Sequence, residues 1–102
     1  MLMIFKETPM FTKEAKRLKV TAKNFATLKS DLLKDPLAGD LIPNGNGLRK
    51  IRMPLGNQGK RGGARVIYYN VIKDMILLIF IYAKSEQANL THSQLEKLKG
   101  IL

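Results

Sequence analysis

The sequence predicts an α+β fold: a small, mainly antiparallel β-sheet with an N-terminal helix hairpin and a short C-terminal helix. Two amphipathic stretches with helix-start signals occupy residues 8–34, and three runs of strand character follow with no helical stretch between them. A further capping signature appears only near the end, at Thr91. At 102 residues the chain has the length of one small domain, expected over residues 1–102, and can bury a core of its own.

Leu2 to Lys6 is short and apolar and reads as a strand. Thr8-Pro9 then starts a helix, with Thr8 as cap and Pro9 at the first helical position, where a missing N–H costs nothing. Phe11, Ala15 and Leu18 form one stripe of that helix. Thr21 caps a second helix, whose apolar face is Phe25, Leu28 and Leu32. It ends before Asp35-Pro36, because proline restricts the residue before it. Residues 36–47, rich in Pro, Gly and Asn, read as a loop, and 48–53 as a strand. Residues 54–63 form a second, Gly-rich loop expected to be mobile. Ala64 to Val71 is the next strand and Val71 to Asp74 the turn. Met75 to Ala83 is apolar on both faces, and so is an inner strand covered on both sides. Thr91-His92-Ser93-Gln94 is a capping box, flanked by Leu90 and Leu95 as a hydrophobic staple. Leu95 and Leu98 mark the buried side of the last helix. The predicted core is Phe11, Leu18, Phe25, Leu28, Leu32, Ile51, Val66, Leu78 and Phe80.

The charge is uneven. Lys and Arg number 18 against 8 acids, a formal net charge of +10. No acid lies between Asp40 and Asp74, a window that holds Arg49, Lys50, Arg52, Lys60, Arg61, Arg65 and Lys73. Like charges without neutralisation repel, and a phosphate backbone or an acidic protein segment relieves that repulsion. The absence of cysteine excludes a disulfide framework, a thiolate nucleophile and a Cys-ligated zinc site. A single histidine, His92, excludes a two-histidine acid/base pair and a multi-His metal site within one chain. The longest apolar run, Met75 to Ala83, is far short of the about 20 residues a membrane helix needs. With no signal-peptide pattern, the expectation is a cytoplasmic protein with a polyanionic partner.

Strand alternation sorts the bases. Leu48, Lys50 and Arg52 share one face, with Arg49, Ile51 and Met53 on the other. Arg65, Ile67 and Tyr69 share a face of the next strand, so Lys50, Arg52 and Arg65 form a cationic patch if those faces coincide. Lys60 and Arg61 then hang at its edge on the Gly-rich loop, and Tyr69 is placed to stack on a base. Such a patch can cleave RNA by stabilising the charge that builds on phosphate as the 2′-OH attacks. An arginine fork suits the phosphate, and a crowded lysine can move a proton. The same residues would equally bind RNA without cutting it, and they serve structurally if they merely solvate a sheet face.

The segments Gly47-Leu-Arg-Lys-Ile-Arg52, Lys60-Arg-Gly-Gly-Ala-Arg-Val-Ile-Tyr-Tyr69 and Ile81-Tyr-Ala-Lys-Ser-Glu-Gln-Ala-Asn-Leu-Thr91 resemble the RelE/ParE toxin superfamily, in particular its RelE-like HigB branch. The likeness in length and element order spans the whole chain. It implies the toxin of a bacterial type II toxin–antitoxin system, a ribosome-dependent mRNA endonuclease that inhibits translation from the ribosomal A site, without metal or cofactor. It also implies a cognate antitoxin, often of helix-turn-helix type, and contact with operator DNA only through the antitoxin complex, with no membrane partner. The family's sheet bases fall on Lys50, Arg52 and Arg65, and Lys84 matches the base ending its last strand. Two positions depart: Ser85 stands where RelE has an arginine, and Thr91-His92 where it has a catalytic tyrosine. Other HigB-like toxins use a histidine and a tyrosine, so on this resemblance His92 is a candidate substitute for the missing tyrosine, beside Lys50 as a proton mover. The expected catalytic set is Lys50, Arg52, Arg65, Lys84 and His92, with RNA or ribosome contacts at Arg49, Lys60, Arg61, Tyr69 and Lys73. The rival readings are a gyrase-directed ParE-like toxin and a non-catalytic RNA-binding module.

Overall fold

The computed structural model describes residues 2–72 and 74–102. Its elements run β1 (Ile4–Glu7), α1 (Pro9–Arg17), α2 (Ala22–Lys34), β2 (Asp40–Leu41), β3 (Arg49–Met53), β4 (Ala64–Ile72), β5 (Met75–Ala83) and α3 (His92–Lys99). The five strands form one sheet in the order β1-β5-β4-β3-β2. Only the β1–β5 pair is parallel. The α+β class, the helix pair and the short last helix are those the sequence predicts. No helix among the described residues is long and apolar enough to cross a membrane.

The caps act where the sequence places them. Thr8 Oγ1 accepts from the Phe11 N–H at 3.0 Å and donates to the Ile79 carbonyl at 2.7 Å, so the cap of α1 is also its anchor on β5. Thr21 with Asn24, and Thr91 with Gln94, form reciprocal capping boxes on α2 and α3.

The sheet is covered on both faces. Phe11, Leu28 and Leu32 from α1 and α2 pack on Val66, Tyr68, Leu78 and Ile81. Leu98 of α3 packs on Ile67, Phe80 and Tyr82 on the opposite face. β5 therefore buries nearly every residue from Ile76 to Ala83, as a strand apolar on both sides must. A register shift after Ile67, which pairs Ile67 with Phe80 but Tyr68 with Leu78, makes Ile79 the extra residue of a bulge.

Three expectations change. The 36–47 segment is not all loop: Asp40 and Leu41 pair with Lys50 and Arg49 as a short edge strand, hidden in the sequence by flanking Gly, Pro and Asn. β4 runs on to Ile72, which pairs with Met75, and Lys73 of the predicted turn lies outside the described residues. Leu18, Phe25 and Ile51 are only partly buried, because they lie at the margin of the helix–sheet contact.

Candidate phosphate-binding cleft

The pairing of β3 with β4 brings the sheet bases together. Arg52 stands opposite Arg65, and Arg65 opposite Tyr82 of β5; one step along, Asp40, Lys50, Ile67 and Phe80 form the next row. Lys84 follows the end of β5, its N–H bonded to the Gly63 carbonyl at 2.9 Å. Gly63 permits this closure, since a β-carbon there would run into the Met53 carbonyl. The result is a cleft of about 250 Å³ lined by Lys50, Arg52, Arg65 and Lys84, with Asp40 and Asn89 at its wall.

Arg65 is 5% exposed. Its Nη1 donates to the carbonyls of Lys60 (3.0 Å) and Ala64 (3.1 Å), and its Nη2 to that of Arg61 (3.0 Å). A guanidinium has five N–H donors, so Nε and one Nη2 hydrogen stay uncommitted. Burial, and then the neighbouring Arg52, push the Arg65 pKa down. Tyr82 beside it is 2% exposed, and its hydroxyl has no hydrogen-bond partner. Burial raises that phenol's pKa, and Arg65 partly offsets the rise.

The Gly-rich loop over 54–63 is tethered at three places. Arg65 holds its carbonyls, Asn24 Oδ1 accepts from the Gly56 N–H at 3.3 Å, and Lys60 Nζ meets Asp31 Oδ2 at 2.6 Å. Asp31, Asp35 and Lys60 share a second groove, of about 430 Å³, with Asp40, Lys50 and Arg52. The acid-free window of the sequence thus meets acids from α2 and β2 in space. The Lys60–Asp31 pair is substantially exposed and contributes little to stability.

A family model described as RelE toxin of RelE / RelB toxin-antitoxin system matches residues 2–101. The chain belongs to the RelE toxin family. It is thus the toxin of a toxin–antitoxin system, and an antitoxin is its partner.

In this RelE-family toxin the expected site residues separate into two groups. Lys50, Arg52, Arg65 and Lys84 meet in the cleft. His92 does not join them: it is the first residue of α3, exposed, and outside the lining. Arg49 points to the opposite sheet face, where its Nη1 donates to the Leu37 and Gly39 carbonyls at 3.2 and 2.8 Å. Tyr69 lies about 13 Å along β4 from Arg65, at the usual strand rise, and packs beside Gly47. Arg61 is exposed on the loop, and Lys73 lies outside the described residues.

The cleft also contains two residues outside the set expected from the sequence, Asp40 and Asn89. One signal for Asp40 was present: it is the last acid before the basic window.

Proposed function

We propose that this RelE-family toxin is a ribosome-dependent mRNA endonuclease of the RelE-like HigB branch, acting in the cytoplasm to stop translation. The convergence of Lys50, Arg52, Arg65 and Lys84 on one cleft carries the reading. Four cations gathered from β3, β4 and the turn after β5 repel one another, and a phosphate between them removes that repulsion. In the attack of a 2′-OH on the neighbouring phosphorus, negative charge grows on the non-bridging oxygens. On this reading the free donors of Arg65 and the exposed fork of Arg52 stabilise that charge, and the Lys50 ammonium protonates the leaving oxygen. The chemistry calls on no cofactor. Lys60 and Arg61, at the rim, would hold message or ribosomal backbone in the A site. The antitoxin, of helix-turn-helix type on this reading, supplies any contact with operator DNA.

Translation of a defined message in vitro, with 5′ ends mapped, tests the reading. Cleavage should appear with ribosomes present and vanish without them. An intact message would overturn it, and damaged DNA in arrested cells would favour the gyrase-directed alternative.

A further inference from the structure

We propose that Asp40 accepts the proton of the attacking 2′-hydroxyl, an assignment that rests on the nuclease reading above. Among the described residues, Asp40 is the sole carboxylate lining the cationic cleft. The backbone holds it there: β2 places Asp40 across from Lys50, and opposed residues on paired strands share a face with β-carbons about 4.5–5.5 Å apart.

A carboxylate present only to neutralise charge would pair with its neighbours. The ion pairs among the described residues are Arg17 with Glu14 and Glu86, Lys60 with Asp31, and Lys99 with Glu96; Asp40 joins none of them. The charged groups around it are Lys50 and Arg52 from β3, Arg65 from β4 and Lys84 after β5. From the α2 side, Asp31, Lys34, Asp35 and Lys60 share its groove. The ammonium and guanidinium groups of the cleft are hydrogen-bond donors with no lone pair to accept a proton. Asn89 is a neutral amide, and His92 is outside the lining. Asp40 is exposed, so an entering ribose can reach it.

The step balances. The O2′ proton passes to Asp40, O2′ bonds to the adjacent phosphorus, and the P–O5′ bond breaks. The leaving O5′ takes a proton from an ammonium, that of Lys50 being the one opposite Asp40. The products are a 2′,3′-cyclic phosphate and a 5′-hydroxyl; Asp40 has gained one proton and Lys50 has lost one.

The test compares the full chain with Asp40→Asn and Asp40→Ala in single-turnover cleavage on programmed ribosomes, with ribosome affinity measured beside it. Asp40→Asn should bind as tightly or more tightly, since it removes a negative charge from a cationic cleft, yet cleave at least about 100-fold more slowly. Added formate should restore part of the Asp40→Ala rate, a rescue that a merely structural role would not show. Cleavage by Asp40→Asn at the parent rate, or an Asp40→Ala variant that stays folded and gains nothing from formate, overturns the assignment. A parent that cuts no message overturns the nuclease reading itself, and the assignment falls with it.

Discussion

Arg65 stands directly across from Arg52 in the pairing of β4 with β3, yet the two guanidinium groups are committed differently. Arg52 is exposed, whereas Arg65 is buried and holds three carbonyls of the Gly-rich loop and its end. Arg65 therefore ties the position of the loop to the shape of the cleft.

Replacing Arg65 should cost both structure and activity. Arg65→Ala should lower message cleavage by about 10²–10³, the usual loss for one preorganised donor. It should also lower the melting temperature and speed trypsin cutting after Lys60 and Arg61, because their carbonyls lose their donor. Arg65→Lys should restore only part of either, since an ammonium lacks the planar fork. Arg52→Ala should lose cleavage with little change in melting. Cleavage gels, thermal melts and timed trypsin digestion read the three effects; equal melting of the Arg65→Ala and Arg52→Ala variants would refute the structural half.

Adjacent residues on β3 should give opposite phenotypes. Arg49 ties down the Leu37 and Gly39 carbonyls, so Arg49→Ala should destabilise by about 1 kcal/mol and leave cleavage per folded molecule intact. Lys50→Ala should keep the melt and lose the cleavage. Urea unfolding alongside the translation assay separates them, and a cleavage defect in a fully folded Arg49→Ala protein would count against the assignment of faces.

Binding to ribosomes should weaken steeply with salt. If four phosphates are neutralised across the cleft and its rim, affinity should drop by about 50-fold between 50 and 200 mM monovalent salt, at the slope for single strands. Filter binding over that range measures it. A flat response would remove the cleft as the contact surface.

The two buried tyrosines should differ. Tyr68 donates to the Pro36 carbonyl at 2.8 Å and accepts from the Gly39 N–H at 3.0 Å, while the Tyr82 hydroxyl is unpartnered. Tyr68→Phe should cost about 1–3 kcal/mol by orphaning buried backbone groups, and Tyr82→Phe should be neutral or stabilising. Burial raises both phenol pKa values. The unfolded chain therefore loses these protons first, and the stability they contribute is full below about pH 10 and falls as pH rises further. Urea midpoints from pH 9 to 11 should show a shallower alkaline decline in Tyr82→Phe than in the parent; an unchanged decline would refute the assignment.

The α+β class, the three capped helices and the inner position of 75–83 were legible because they depend on local signals. Cap chemistry at Thr8, Thr21 and Thr91 acts within three residues, and apolar periodicity reports burial directly. Alternation likewise put Lys50 and Arg52 on one face, and Arg65 could be joined to them once antiparallel pairing was assumed. Other features depended on long-range packing. Only the fold brought Lys84 to the end of that row, set Asp40 among the cations and turned Asp31 toward Lys60. Only the fold, too, took Arg49 out of the site and left His92 beyond its rim. A lone residue's charge is written in its type, but whether its donors are free depends on which carbonyls distant segments bring within about 3 Å, and neither composition nor spacing encodes that distance.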